Sequence, residues 1–470
     1  MSAFGTVIQL IYLAAAACFV IGLHLMNTPA TARQGNFVSG GGMVAAIVAT
    51  LALIIHDGTV TATGWAVLLT GALLGAGAGL YFARTVQMTA MPQLVSIFNA
   101  VGGGAAALIA IHDYTRLAGT VAGVPTSTTV TTLLDVIIGS VTFSGSLIAA
   151  GKLQGLIPSQ PLVFPGSRPV NAVIAVVAIG MSAYLISSVS VAGLIVVIVA
   201  SLAFGVTMVL PIGGADMPVV ISLLNAFTGT AVAMAGFVIK NNALIIAGAL
   251  VGASGGILTK LMADAMNRSL ANIMIGGFGT GDTAAAAVAG PGGDVKAIAA
   301  DDAAIQLAYA QKVIIVPGYG LAAAQAQHEA AELASLLEER GVDVSYAIHP
   351  VAGRMPGHMN VLLAEANVPY PLLKEMEEIN PEFPRADVAL VVGANDVTNP
   401  AARRPGTAIS GMPILDVDQA KSIIVIKRSM GTGYAGIDNE LYTDPKTSMY
   451  FADAKTALAD LASAVKAYVG

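Results

Sequence analysis

The 470 residues are 56% hydrophobic and only 11% charged, with a mean hydropathy of +0.77. Soluble domains hold about 25% charged residues, so a wholly soluble protein is excluded, and a formal net charge of −6 argues against a nucleic-acid partner. Residues 1–262 carry seven Lys and Arg and four acids, whereas the remaining 208 residues carry 39 of the 50 charges. That asymmetry predicts a membrane domain over 1–262 and a soluble domain at the C-terminal end.

About twenty apolar residues are needed to cross a bilayer. Nine stretches reach that length, approximately 4–23, 36–56, 60–82, 90–111, 130–150, 169–188, 191–210, 217–239 and 241–262. The first Lys or Arg is Arg33, so the opening stretch lacks the basic start of a cleaved signal peptide and is expected to remain as a span. The sole cysteine, Cys18, lies inside it, with no partner for an intrachain disulfide. No metal site is expected.

Basic residues beside spans favour the cytoplasm. Arg33, Arg84, Lys152, Arg168, Lys260 and Arg268 fall on the odd-numbered connections and the exit, and only Arg116 and Lys240 on the even ones. The N-terminus is therefore expected outside and the C-terminal domain in the cytoplasm. The spans are rich in small residues, as in Gly71-Ala-Leu-Leu-Gly75-Ala-Gly-Ala-Gly79, a surface suited to close helix packing or to a subunit interface. Titratable groups inside a bilayer are costly and are functional candidates. Asp135 lies within the fifth stretch and Asp216 in a Pro- and Gly-rich turn, while Asn99 and Asn225 lie mid-span and His24, His56 and His112 at span ends.

Residues 271–293 are Gly-rich and read as a hinge within a linker over 263–293. The domain over 294–470 then shows a helix at 301–311, strand 312–316, helix 321–340, strand 342–348, helix 358–367, strands at 388–392 and 422–427, and a closing helix at 452–468. Strands alternating with helices predict a parallel, doubly wound α/β sheet of Rossmann type.

Gly318-Tyr-Gly320-Leu-Ala-Ala323 follows a strand and opens a helix, as a dinucleotide fingerprint requires. An NAD site normally ends its second strand with an acid. Here that strand runs into His349-Pro-Val-Ala-Gly-Arg354, which points to NADP, unless Arg354 is only a solvated loop cation. Lys427-Arg428-Ser429 ends another apolar strand and leads into Gly431-Thr-Gly433-Tyr434, a plausible cradle for a phosphate monoester. Asp396 follows a further strand at the ligand-binding edge of such a sheet, either near a nicotinamide or as a helix cap.

Six segments together resemble the β subunit of the proton-translocating NAD(P) transhydrogenase, across nearly the whole chain. They are Met91-Pro-Gln-Leu-Val-Ser-Ile-Phe-Asn99, Pro211-Ile-Gly-Gly-Ala-Asp-Met-Pro-Val-Val, Pro317-Gly-Tyr-Gly-Leu-Ala-Ala-Ala-Gln325, His349-Pro-Val-Ala-Gly-Arg-Met-Pro-Gly-His-Met-Asn360, Gly393-Ala-Asn-Asp396 and Lys427-Arg-Ser-Met-Gly-Thr-Gly-Tyr-Ala-Gly436. The resemblance implies a Re/Si-specific enzyme of a bacterial inner membrane in which hydride passes from NADH, held by a separate NAD(H)-binding alpha subunit, to NADP+ held here. Inward proton flow would drive NADPH formation. It implies a dimer of such heteromers embedded in lipid, and a nucleotide lying reversed relative to an ordinary Rossmann site.

By motif match, Gly318, Tyr319, Gly320, Arg354, Met355, Pro356 and Gly357 would contact the pyrophosphate side, with Leu321 and Ala322 beside them. Lys427, Arg428 and Ser429 would hold the 2′-phosphate, flanked by Gly431, Gly433, Tyr434 and Ala435. Gly393, Ala394, Asn395 and Asp396 would lie toward the nicotinamide, Asp396 closest to the chemistry. Some members of the family carry a proton-conducting histidine where this chain has Asn99, which takes up no proton. Asn99 is expected to position water beside Asn225 and Ser146, with the titrating group supplied elsewhere and Asp216 coupling the membrane domain to the nucleotide domain. The alternative is a transporter or channel with an NADP-sensing domain, which would bind nucleotide without transferring hydride.

Overall fold

The computed structural model describes residues 3–58, 60–118, 126–158, 162, 166–213, 216–265, 295–353, 357–405, 407, 409–433 and 435–467. The expected linker over 263–293 lies almost wholly outside the described residues. The chain divides into two compact units, Met1–Pro211 with Val220–Thr259 and Ile212–Val219 with Lys260–Gly470.

Among the described residues, nine helices are long and apolar enough to cross a membrane. They are α1 (Ala3–Leu25), α2 (Pro29–Asp57), α3 (Ala62–Thr85), α4 (Met91–Ala118), α5 (Thr126–Leu153), α6 (Ser167–Ser187), α7 (Val191–Val209), α8 (Met217–Val238) and α9 (Asn242–Ala265). Lipid offers backbone groups no partner, so each span satisfies its own amides as a helix. Helix pairs α1/α2, α4/α5, α5/α7 and α6/α7 pack against each other.

Small residues set these contacts, because helices in lipid associate by close packing and not by burying apolar surface from water. A Cβ on Gly229 would lie 2.3 Å from the Gly252 amide nitrogen, and one on Gly248 would lie 2.4 Å from that of Ala233, so α8 and α9 meet backbone to backbone. On α4 and α5, a Cβ at Gly139 would meet the Gly103 carbonyl at 2.5 Å. The run from Gly71 to Gly79 behaves differently. α3 buries none of its residues, and a Cβ on Gly71, Gly75, Gly77 or Gly79 would meet nothing within 4 Å.

The elements of the α/β domain are α10 (Ala300–Ala308), β1 (Lys312–Pro317), α11 (Tyr319–Ala323), α12 (Gln327–Glu338), β2 (Asp343–Ile348), α13 (His358–Glu365), β3 (Leu373–Glu375), α14 (Met376–Ile379), β4 (Val388–Val392), β5 (Ser422–Lys427), β6 (Thr447–Phe451) and α15 (Ala454–Ala467). The six strands form one parallel sheet in the order β3-β2-β1-β4-β5-β6. Its central strands read as continuous apolar runs because helices cover both faces; β4 is buried at all five positions. α15 supplies one cover, burying Ala454, Ala457, Leu458, Leu461, Ala462 and Val465 at helical spacing. At the opposite end, the Asp387 carboxylate accepts from the amides of Gln311 and Lys312 and pairs with Lys421 at 2.8 Å, tying the starts of β1, β4 and β5 together. Those donors hold its carboxyl below the usual carboxylate range.

Two details depart from the sequence reading. The single helix expected over 321–340 is two, because Gln325 takes a left-handed conformation (φ 50°) between α11 and α12. Strands β3 and β6 were not expected; both are short edge strands whose mixed polar and apolar residues give too brief an alternation to register, although β6 buries Thr447, Ser448 and Met449.

The close approach of α8 and α9 yields a paired expectation. Gly229→Ala should lower the melting temperature of the detergent-solubilised protein, at a cost of about 1–3 kcal/mol for overpacking against backbone. Gly75→Ala, which meets open space, should leave it unchanged or raise it by the helix preference of Ala over Gly, up to about 1 kcal/mol.

Candidate functional site

In the α/β unit the register aligns Pro317 with Val392 and Val392 with Ile426. Gly318, Gly393 and Lys427 therefore leave the sheet side by side at its carboxyl edge. The strand order reverses between β1 and β4, and this is the switch point at which open α/β sheets bind ligands. The Gly318 amide donates to the Val392 carbonyl and the Gly320 amide to that of Gly393, both at 2.9 Å. Gly393 sits at φ +67°, and a Cβ there would lie 2.3 Å from the Gly320 Cα. A Cβ on Gly318 would lie 2.3 Å from the Ala394 Cα. The fingerprint glycines thus let two loops touch backbone to backbone. The helix that the fingerprint opens, α11, is only five residues long, little more than one turn.

The loops after β4 and β5 are joined by polar contacts. The Asp396 carboxylate accepts from the Ala435 amide at 3.0 Å and occupies the space where Gly433 has no side chain; a Cβ there would come within 2.4 Å of it. The Lys427 ammonium donates to the Gly431 carbonyl and lies 4.6 Å from the centre of the Tyr442 ring. Burial pushes the Lys427 ammonium pKa down, against the raising effect of the Asp396 and Asp438 carboxylates. The Tyr442 hydroxyl reaches the Ala394 carbonyl at 3.2 Å and the Asn395 side chain at 3.0 Å, and burial pushes its pKa up. Arg428, Ser429 and Gly431 are exposed beside this cluster. Leu321 and Ala322 are fully buried behind it.

Tyr442, Asn399 and Asn439 escaped the sequence reading. Asn399 is fully buried, donating to the Asp438 carbonyl and accepting from the Ala401 amide. Asn439 donates to the Asn395 carbonyl at 2.9 Å and accepts from the Leu441 amide. Each side chain replaces a missing backbone partner in a buried loop. The signal available was the Asn399-Pro and Asp438-Asn439 pairs, typical of turns.

Arg354, Met355, Pro356 and Tyr434 lie outside the described residues. The flanks of the first three are built on two buried histidines. His349 Nε2 donates to the Pro413 carbonyl at 2.8 Å while Nδ1 accepts from the Val351 amide at 3.2 Å, which fixes the neutral tautomer. Burial lowers its pKa from 6.5 to about 4. His358 is fully buried, and a Cβ on Gly353 would lie 2.4 Å from its Nδ1.

In the membrane unit, Asn99 is buried on α4 and donates to the Ile221 carbonyl at 3.4 Å, while the Thr228 hydroxyl donates to the Asn99 carbonyl at 3.3 Å. These two α8 residues bracket Asn225, one turn to either side, so Asn99 and half-buried Asn225 occupy one level. A Cβ on Gly103 would meet the Thr142 Cβ at 2.8 Å. Asn99 stands one turn before Gly103 and Ser146 one turn after Thr142 on the antiparallel helix, which places Ser146 at that level too. Ser146 is fully buried and its hydroxyl finds no hydrogen-bond partner among the described residues. Asp216 is buried just before α8, its amide donating to the Gly213 carbonyl at 3.2 Å.

A bundle of apolar helices carrying a parallel sheet of this order defines a polytopic membrane protein with a Rossmann-like α/β domain. The family model for the NAD(P) transhydrogenase beta subunit matches residues 8–464. The chain is also 47% identical over 451 residues to the NAD(P) transhydrogenase subunit beta of Rhodospirillum rubrum, covering 94% of this chain and 96% of that one. The like-named protein of a designated strain of the same organism matches equally well. The chain belongs to the NAD(P) transhydrogenase beta subunit family. Membership brings nicotinamide nucleotides into its activity, and the designation beta implies a partner alpha subunit.

The buried, neutral His349 sets a pH dependence. The unfolded chain binds a proton at His349 that the folded chain refuses, so its contribution is complete above about pH 6.5 and lost as pH falls toward 4, by up to about 3 kcal/mol. The urea midpoint of the α/β-domain transition, followed from about pH 7 to pH 4.5, should fall in the native protein and be flatter in His349→Gln. The lowered carboxyls of Glu382 and Asp387 lose their contributions only at lower pH.

Proposed function

We propose that this chain is the NADP(H)-binding, proton-conducting subunit of a transhydrogenase that couples hydride transfer between NADH and NADP+ to proton movement. The observation that carries the reading is the juxtaposition, at the switch point of one parallel sheet, of Gly318, Gly393 and Lys427, with Arg428 and Ser429 exposed beside them, in a chain with nine membrane-length apolar helices among the described residues. The family supports the same reading. Residues 1–262 are the membrane domain, 263–293 a linker and 294–470 the nucleotide domain. The spans lie in a bacterial inner membrane with the nucleotide domain in the cytoplasm, following the placement of basic residues. The enzyme is of the Re/Si-specific type and assembles as a dimer of heteromers.

The residues fit the nucleotide. Arg428 and Ser429 offer a fork of donors and a hydroxyl to a 2′-phosphate. Lys427, held over Tyr442, keeps a second positive charge near it. Asn395 and Asp396 lie toward the nicotinamide, and Gly357 toward the pyrophosphate side. NADP(H), when bound, supplies the hydride acceptor or donor. Hydride transfer requires two nicotinamides at about 3–3.5 Å, so the alpha subunit brings NAD(H). Proton passage drives the reaction by changing the relative stability of two states of the nucleotide domain. One charge crossing about 100 mV supplies roughly 2.3 kcal/mol, enough to shift such an equilibrium near fifty-fold.

Reconstituted with its alpha subunit in lipid vesicles, the protein should form NADPH from NADH in a reaction sensitive to uncouplers. Nucleotide binding without hydride transfer would favour a transporter or channel with a sensing domain. Arg428→Ala should weaken NADPH binding by about ten- to a hundred-fold, the loss of a charge-assisted contact, while leaving the weak binding of NADH unchanged in the same titration.

A further inference from the structure

Asp135 is fully buried on α5, and neither carboxylate oxygen finds a hydrogen-bond partner among the described residues. It stands seven residues inside the span Thr128–Leu153, about 10 Å from its end. An unpaired carboxylate in that setting is expensive to hold ionised and is retained for a function.

Its surroundings form a seam. Gly139 and Thr142 follow Asp135 on the same face of α5 by one and two turns, and both touch Gly103 of α4. Continuing seven residues from that contact in each direction sets Asp135 opposite Ala110, which is fully buried. Ser146 lies on the same face three turns from Asp135, about 16 Å along the axis. Asp135, Gly139, Thr142 and Ser146 thus run as one stripe against α4, ending at the level of Asn99 and Asn225. Ser96 on α4 adds a second buried hydroxyl without a partner among the described residues. The titratable groups on the helices packed against α5 are His112, Asp113, Tyr114 and Arg116 near the end of α4 and Arg168 and Tyr184 on α6, and α7 has none. Asp113 pairs with Arg116 at 3.6 Å. That end of α4 also lines, with Lys240, a cavity of about 660 Å³.

The geometry points to Asp135 as the proton-loading group of the membrane domain, receiving one proton on a carboxylate oxygen from the outer side and passing that proton along the α4/α5 seam to the Ser146, Asn99 and Asn225 layer. No electron moves in this step. The inference rests on the transhydrogenase reading and names the titrating residue that Asn99 does not provide.

The test uses the complete complex with its alpha subunit in lipid vesicles. Asp135→Asn should bind NADPH like the wild type, yet its proton-driven NADPH formation should fall about ten-fold or more, the scale expected for removing a positioned proton-transfer group. Asp135→Glu, which keeps the carboxyl, should retain that reaction. Infrared difference spectra on imposing a proton gradient should show a protonated-carboxyl band that shifts in Asp135→Glu, a readout that stands even where Asp135→Asn does not assemble. Wild-type proton coupling in Asp135→Asn, or a carboxyl band unmoved in Asp135→Glu, would overturn the assignment while leaving the transhydrogenase reading intact. An inactive wild-type complex would overturn both.

Discussion

Both units of this protein depend on backbone packing directly against backbone. In the sheet domain the loops after β1 and β4 meet through Gly318, Gly320, Gly393 and Ala394, at distances that leave no room for a Cβ. In the membrane unit Gly229 and Gly248 do the same for α8 and α9, and Gly103 and Gly139 for α4 and α5. The physical reason differs. At the sheet edge the approach brings strand-end loops together at the switch point, whereas in lipid it replaces the hydrophobic drive that helices there lack.

From the glycine contact the site follows outward. Fixing Gly393 against Gly320 fixes Asn395 and Asp396, and Asp396 in turn holds the β5 loop through the Ala435 amide. Tyr442 closes the circuit, bonding Asn395 on one side and lying under the Lys427 ammonium on the other. Arg428 and Ser429 lie exposed beside this network, so its contacts and not their own burial set their place. In the membrane unit, too, glycines set the α4/α5 distance, and buried polar residues line the seam beside them.

Much of this was legible in the residues. Nine apolar stretches, alternating strands and helices, and the strand-to-helix setting of Gly318 and Gly320 all follow from periods and lengths that local sequence carries. The break at Gln325 was not, since Ala-rich sequence on both sides has high helix preference and only the fold forces φ positive there. Nor was the indifference of Gly75 beside the necessity of Gly229: both sit in small-residue patterns, and what distinguishes them is whether another backbone lies within 3 Å.

By itself the sequence determined the fold class, the family and the chemical type of each candidate residue, because hydrophobic period, chain length and motif spacing are local properties. Only the tertiary structure decided which of those residues meet. It set Lys427 over Tyr442, gave Asn99 its contacts to Ile221 and Thr228, enlisted the unremarked Asn399 and Asn439, and left the Asp135 carboxylate buried without a described partner. Those relations join residues up to 129 positions apart, and they depend on helix register and strand order, which no local pattern encodes.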